Sequence, residues 1–311
     1  MISVIIPVYN AAGKGLEVCL QRVADQTYAD LQVLLVDDGS TDGSDLICDE
    51  WAEKDARFEV IHQKNTGPGL ARNTALARAK GEEIAFVDSD DLPALQLLQV
   101  MHESMASHDA EMVMARFNEV DDSRMNLTDN CLTGMDMLLG LFDYYTPLYK
   151  NLFAKLYKRE LLESLYFEPF RTSEDVDFLS RVYPRVKRCA FVGQSLYIYN
   201  RCEDSIMHTQ TARDYMDILQ CYEGMVERFS SRDEHLYGRA LDALMRKIVS
   251  SRYRNRVFKD ASLDTRINGL EKKYFSAYRK CKNGSLLVKM GLLTCLKMPW
   301  LHAMVMNYRE R

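Results

Sequence analysis

The chain has no Cys-x-x-Cys pair. Its eight cysteines stand at 19, 48, 131, 189, 202, 221, 281 and 295, with no metal-ligand spacing among them, which argues against a thiolate zinc site. Several fall in apolar patterns, where free Cys behaves as a small hydrophobe. No secretory signal is visible: the apolar opening Ile2 to Val8 is too short, and Pro7-Val8-Tyr9-Asn10 follows it without a cleavage pattern. The expectation is a cytoplasmic protein with reduced thiols, working in the cytoplasm or at the inner face of the cell membrane. No run of about 18 uncharged apolar residues occurs, so no spanning helix is expected. A basic excess is missing too. A net charge of −5 and a pI near 5.8 argue against a nucleic-acid binder. Neither Gly-x-Gly-x-x-Gly nor Gly-x-x-x-x-Gly-Lys-Ser/Thr is present, which speaks against the usual dinucleotide and phosphate loops. Internal repeats and low-complexity segments are likewise absent.

What is present suits a soluble globular chain: 311 residues, 47% hydrophobic and 27% charged, enough for one large or two modest domains. The charge is uneven. Residues 1–209 hold 20 Lys+Arg against 34 Asp+Glu, a net of −14, whereas residues 210–311 hold 20 against 11, a net of +9. Over residues 1–115, strands at 3–8, 31–36, 58–62 and 84–87 alternate with helical spacing at 16–25, 42–51 and 68–80. Strands separated by helices imply a parallel, doubly covered sheet. From 95 to 192 the pattern is mixed: a helix over 95–107, a strand at 112–115, a polar connection over 119–130, and strand-like pieces at 152–157, 189–192 and 195–199. Beyond Thr211 long amphipathic stretches run over 213–230, 235–258 and 263–282. We therefore divide the chain into 1–209, with halves 1–115 and 116–209, and a helical region 210–311.

The chemistry gathers at strand ends, where open α/β sheets bind ligands. Ile84-Ala85-Phe86-Val87 runs straight into Asp88-Ser89-Asp90-Asp91. Three carboxylates in that position either splay into water as a turn or face a cleft and hold Mg²⁺ or Mn²⁺, ions that join a few protein oxygens to phosphates. A second strand ends the same way, in Asp37-Asp38-Gly39-Ser40-Thr41-Asp42. Its carboxylates can accept from a base N–H, or Asp42 or Ser44 can simply cap the next helix. After the first strand, Tyr9 can stack on a flat ring and Asn10 can hydrogen-bond to it. Asn65-Thr66-Gly67-Pro68-Gly69-Leu70-Ala71-Arg72-Asn73 leads into a helix N-terminus, with Arg72 one turn in offering a planar fork of donors. Further on, Ser173-Glu174-Asp175 reads either as a capped, acidic first helical turn or as a carboxylate base. His208 is a structural histidine or an extra metal or phosphate contact.

In series, Val4-Ile5-Ile6-Pro7-Val8-Tyr9-Asn10, Val36 to Asp42, Asn65-x-Gly67 with Ala71-Arg72-Asn73, and Asp88-Ser89-Asp90-Asp91 resemble the family-2 glycosyltransferases. The resemblance implies the GT-A fold, a Rossmann-like mixed but mostly parallel sheet flanked by helices, here with a helical C-terminal region. It covers residues 1–115 strongly and extends to about 209, where Phe153 to Lys158 and Glu174-Asp175 look like acceptor-side motifs. Residues 210–311 carry no motif of the family. By position it implies that Pro7, Tyr9, Asp37, Asp38, Gly67 and Arg72 surround the nucleoside. It places Asp88 and Ser89 by the donor, with Asp90, Asp88 and, in members that use a late histidine, His208 at a Mn²⁺ or Mg²⁺ ion. Asp175 matches the catalytic base. Ala154 departs from the pattern, since many relatives have Asn before the lysine.

The reaction so implied moves a sugar from a nucleoside diphosphate, UDP foremost, to a hydroxyl of a saccharide or lipid-linked saccharide, with inversion. Two other readings compete with it. A nucleotidyltransferase shares an α/β core and acidic site but wants a Gly-rich basic loop after the first strand, of which Ala11-Ala12-Gly13-Lys14-Gly15 is a faint echo. A non-catalytic nucleotide-sugar-binding protein would not need the intact carboxylates at 88–91 and 174–175. The basic end of the chain, where 286–306 mixes Leu, Met, Val and Trp300 with Lys289 and Lys297, suits either a lipid interface or packing on protein, including a second subunit.

Overall fold

The computed structural model describes residues 1–118, 131–143, 147–200 and 210–281. The polar connection 119–130 and the segment 286–306 lie outside them. Two compact units are formed, Met1–Ser205 and Ile206–Arg311.

In the first unit the strands are β1 (Ile2–Val8), β2 (Leu31–Asp37), β3 (Phe58–His62), β4 (Glu83–Phe86), β5 (Leu92–Pro93), β6 (Met112–Phe117), β7 (Lys155–Lys158) and β8 (Cys189–Ile198). The helices are α1 (Leu16–Ala24), α2 (Ser44–Lys54), α3 (Pro68–Leu76), α4 (Leu97–Ser107), α5 (Gly134–Phe142), α6 (Arg159–Leu162) and α7 (Glu174–Val182). One mixed sheet has the order β3-β2-β1-β4-β7-β6-β8-β5. Strands β1 to β4 are mutually parallel, and antiparallel β7 joins them to the parallel pair β6–β8. This is the GT-A arrangement expected from the motifs. Every residue of β2 is buried, as befits a strand covered on both faces.

The order puts β1 between β2 and β4, so the loops leaving all four parallel strands open on one edge of the sheet. Pro7 is tolerated inside β1 for a local reason. Ile5 accepts from Val87 N and Val8 from Asp38 N, so odd positions of β1 face β4, and that pairing ends at Ile5–Phe86. The missing N–H of Pro7 therefore removes no ladder bond.

Several boundaries differ from the sequence expectation. Helix α3 stops at Leu76, not Lys80, because the amides beyond it turn to other partners: Lys80 N donates to Gln32 Oε1 and Gly81 N to Ser3 Oγ. Strand β7 starts at Lys155 instead of Leu152, since Ala154 takes a left-handed φ of 53° that no strand continues through. The two pieces at 189–192 and 195–199 form a single strand, β8, with register shifts opposite Ala115 to Phe117. The elements β5, α5 and α6 lie outside the sequence expectation.

The second unit contains α8 (Ala212–Phe229), α9 (Glu234–Phe258) and α10 (Ala261–Lys280). Their apolar stripes pack together through fully buried Met225, Leu244, Ile248, Leu263 and Ile267. Ion pairs lie over that core, with Glu223 meeting Arg266 and Lys273, and Arg252 meeting Glu271. Among the described residues no helix is long and apolar enough to cross a membrane.

The turn after β2 depends on Gly39, at φ 75°, where an added Cβ would lie 2.9 Å from Asn65 N and 3.2 Å from Gln63 O. Gly39→Ala is expected to cost about 2 kcal/mol through the left-handed backbone and this collision. A lowered urea midpoint with an unchanged slope checks it.

Candidate functional site

Asp37, the last residue of β2, is 3% exposed. One of its oxygens accepts from Ser40 N at 3.0 Å, and the other lies 3.0 Å from His62 Nδ1. His62 Nε2 in turn lies 3.0 Å from Asp49 Oδ1. A neutral imidazole donates from one nitrogen only, so two carboxylate partners favour the imidazolium. The Asp37 hydrogen bond, then that of Asp49, holds His62 above its ordinary pKa. Burial pushes the Asp37 carboxyl up, yet the hydrogen bonds from Ser40 and His62 outweigh it and leave Asp37 below the usual range.

Asp38 orders the next loop. It accepts from Gln63 Nε2 (2.8 Å), Thr66 N (2.9 Å), Thr66 Oγ1 (3.2 Å) and Gly67 N (2.8 Å). Tyr9 stands 53% exposed at the mouth, and Pro7 is half-buried below it. Asn10 ties the first two loops together, its amide donating to Ser40 Oγ and its Oδ1 accepting from Thr41 N. Asp42 and Ser44 serve these loops as well as the start of α2: Ser44 Oγ and Asp42 Oδ2 receive the amides of Ala11 and Ala12, while Asp42 Oδ1 accepts from Ser44 N, the first amide of the helix.

On the acidic side, Asp88 to Asp91 form a turn closed by Asp91 N donating to Asp88 O. Asp88, Ser89 and Asp90 are partly exposed. Asp91 is fully buried and accepts from Asn200 N at 2.9 Å. Burial, with Asp88 adding to it, pushes the Asp91 carboxyl up to about 8.

Arg72 projects from α3 into this cluster. Its Nη2 donates to Asp88 Oδ1 at 2.9 Å, and its Nη1 donates to Glu174 Oε1 at 3.1 Å and to Asp175 Oδ1 at 3.2 Å. Burial works against its charge, but Asp175, Asp88 and Glu174 outweigh burial and hold the guanidinium firmly protonated. Burial pushes Asp175 well above the carboxylate range and Glu174 pushes it further, while Arg72 pulls it back. Burial likewise raises Glu174, against the pull of Arg72. Helix α3 approaches closely because Gly69 has no side chain: a Cβ there would lie 3.1 Å from Phe167 Cβ and 3.3 Å from Glu174 Cγ. Asn73 completes the joint with two bonds to the Phe167 backbone, giving to its carbonyl at 2.9 Å and taking from its amide at 2.7 Å.

The structure thus joins Asp38 to Gly67 beside Asp37, with Pro7 and Tyr9 at the end of neighbouring β1, and joins Arg72 to Asp88 and Asp175, with Ser89 and Asp90 in the same turn as Asp88. His208 lies outside the described residues. Ser173 occupies the N-cap of α7 with φ 66°. Sequence reading missed three participants: His62, Asn73 as a clamp on 167, and fully buried Lys155, whose ammonium donates to Asn151 O and Oδ1 at 2.7 and 2.6 Å. Burial brings the Lys155 pKa down to about 7. Asn73 and Lys155 stood in the motifs already; their partners, far off or packed inside, did not show. Among the described residues no group of three or more His, Cys, Asp or Glu side chains is arranged to hold a metal ion by itself. The partly exposed Asp88 and Asp90 are hard oxygen donors, which fits an ion taking most of its ligands from a diphosphate and water.

A mixed sheet of this order, with acidic loops at the ends of its parallel strands, is the GT-A fold. Residues 3–165 match the model of Glycosyl transferase family 2. The chain belongs to that family and is a glycosyltransferase. It is 32% identical over 236 residues to Glycosyltransferase GlyG of Streptococcus pneumoniae, covering 70% of this chain and 78% of that one. It is 31% identical over 216 residues to the Bacillus subtilis protein named Uncharacterized glycosyltransferase EpsJ, covering 66% and 62%. A 30% match to GlyA of S. pneumoniae spans 32% of that longer protein. Among solved structures, S. aureus TarS 1–349 in complex with UDP-GlcNAc superposes with a TM-score of 0.60 at 20% identity, over 89% of this chain and 92% of that one. Mannosyltransferase PcManGT from Pyrobaculum calidifontis, in complex with GDP-Man and Mn²⁺, gives 0.55 at 18% identity, over 95% and 87%.

The imidazolium of His62 stabilises the fold fully below its ordinary pKa, and that contribution is lost as pH rises through the raised folded value. Asp37 contributes above its ordinary range and loses its share as pH falls through its lowered one. An NMR titration is expected to place the His62 midpoint above 6.5, and Asp49→Asn to move it down.

Proposed function

We propose that the protein transfers a sugar with inversion from a nucleoside diphosphate, UDP foremost, to a hydroxyl of a saccharide or lipid-linked saccharide. The observation that carries this reading is the Arg72 bridge, which links Asp88 of the strand-end turn to Asp175 of α7 through one guanidinium. A donor lying on Asp88 would then present its anomeric carbon toward Asp175. The two structural neighbours bound to UDP-GlcNAc and to GDP-Man support a nucleotide sugar as donor.

Pro7, Tyr9, Asp37, Asp38 and Gly67 are assigned to the nucleoside: Tyr9 offers a ring face, and Asp38 keeps the Gly67 loop in place. Arg72 joins them through Asp88 and the loop order. Asp90 and Asp88, with His208 held as a third ligand, are assigned to Mn²⁺ or Mg²⁺. Such an ion supplies charge neutralisation for the leaving diphosphate. Asp175 takes the acceptor proton as the hydroxyl oxygen attacks. Its raised pKa suits this work, since a stronger base removes the proton more readily. Arg72 and Glu174 keep its carboxylate oriented. A single displacement on the face opposite the leaving group inverts the anomeric centre.

The nucleotidyltransferase reading is set aside, because the backbone amides of Ala11 and Ala12 in the loop after β1 are taken up by Ser44 and Asp42. Region 210–311 is assigned the partner contact, with a lipid surface at the inner face of the membrane or with a second copy. Sedimentation of the full-length chain with anionic vesicles selects the first, and a dimer mass without vesicle binding the second.

Asp175→Asn is expected to keep UDP binding and lose transfer by about 10²–10⁴-fold; turnover near that of the unaltered protein would falsify the base assignment. Because Asp175 must be deprotonated, kcat/KM is expected to fall with acid through a pKa above the ordinary carboxylate range. Asp90→Ala is expected to abolish the gain in UDP affinity that Mn²⁺ confers, measured by calorimetry with and without the ion.

A further inference from the structure

We infer that Tyr197 is a positioning residue for the acidic turn 88–91, and that it couples this turn to the acceptor-side segment 151–155. Tyr197 lies in β8 and is 1% exposed. Its hydroxyl accepts from Asp88 N at 3.2 Å and stands next to the Asp91 carboxyl. Three residues further, Asn200 N donates to Asp91 Oδ1. The turn is therefore bolted to the end of β8 and the residues just after it at both ends, through the Asp88 amide and the Asp91 carboxylate. From the opposite side, Cys19 Sγ of α1 lies 3.5 Å from Asp88 O.

The ring of Tyr197 does separate work. It stacks on Phe153 with centroids 4.7 Å apart and planes at 7°, and Phe153 also stacks with Tyr199 at 5.4 Å and 9°. Phe153 is itself held rigidly. Ala154 beside it occupies the left-handed region, Lys155 Nζ donates to Asn151 O and Oδ1, and Tyr157 Oη donates to Leu152 O at 3.2 Å. A phenylalanine would serve the stack equally well. A fully buried hydroxyl is costly unless it is bonded, and here its partner is the peptide of the acidic turn.

Asp88, Asp90 and Asp91 stand within a single four-residue turn, and Arg72 brings Glu174 and Asp175 up to Asp88. Whatever negative charge this group carries repels itself and favours opening the turn. The Tyr197 bond to the Asp88 amide resists that opening and keeps the donor-side carboxylates set before a ligand arrives, as preorganisation requires. Through Phe153 the same residue ties their position to the segment that faces the acceptor. The consequence for donor affinity rests on the function proposed above; the mechanical role does not.

Tyr197→Phe keeps the ring and removes the hydroxyl. In the unliganded full-length chain, hydrogen exchange across 86–92 is expected to rise by about tenfold, the effect of losing one hydrogen bond, while 31–37 and 234–258 exchange as before. UDP affinity in the presence of Mn²⁺ is expected to fall by a similar factor. Phe153→Leu, which spares the hydroxyl but removes the stack, is expected to raise exchange over the same segment to a lesser degree. Unchanged exchange at 86–92 in Tyr197→Phe overturns the inference, and so does a rise spread evenly over the chain, which marks a merely structural residue. Raised exchange confined to 86–92, in a protein that binds no UDP at all, upholds the brace and removes the donor assignment instead.

Discussion

The first unit depends on one buried cation. Arg72 is 4% exposed and must offset its lost hydration with charges of opposite sign. It does so with carboxylates from two places, Asp88 at 16 residues' separation and Glu174 and Asp175 at 102 and 103. The strand-end turn, helix α3 and the start of α7 are thereby held in one geometry. Glycine at 69 permits the approach, and Asn73 secures it by pairing with both polar groups of the Phe167 peptide. Beneath them Phe167 stacks on Phe178 at 3.9 Å, so the polar bridge rests on a dry aromatic floor.

The opposite end of the cleft is organised by anions that accept from the chain itself. Asp38 receives four hydrogen bonds from residues 63–67, and Asp37 is shared between Ser40 and His62. Loops with no secondary structure of their own thus acquire a fixed shape, because each buried carboxylate needs several donors and the nearby amides supply them. Loops held in this way keep their shape without a ligand. The second unit follows a different principle: its helices bury an apolar face and satisfy Glu223, Asp242 and Glu271 with basic partners inside the unit. Part of the positive surplus of residues 210–311 therefore has an internal electrostatic use.

Much of the fold was legible because its causes are local. Val33-Leu34-Leu35-Val36 is a buried strand wherever it lies, and Gly67-Pro68 opens a helix whatever that helix packs against. The limits of β7 and α3 were not legible, since a left-handed Ala154 and the capture of Lys80 N by Gln32 arise from neighbours distant in sequence. In the site, the residue types and their order pointed to a donor cleft. The carboxylates that Arg72 meets, Asp88, Glu174 and Asp175, were not legible, since two of them lie more than a hundred residues away. His62 looked like the end of an ordinary strand, because the pairing that sets it beside Asp37 is a property of the sheet.

By itself the sequence determined the family, the alternation of strands and helices, and the strand ends at which acidic and aromatic groups appear. Those features follow from hydrophobic period and turn chemistry, which act over a few residues. Only the tertiary structure decided which carboxylates share Arg72, which of the acidic residues is buried, and that Tyr197 reaches the Asp88 amide. The physical reason is that a buried charge or hydroxyl takes whatever partner the packed sheet brings within about 3 Å. Strand order, rather than proximity in sequence, selects that partner.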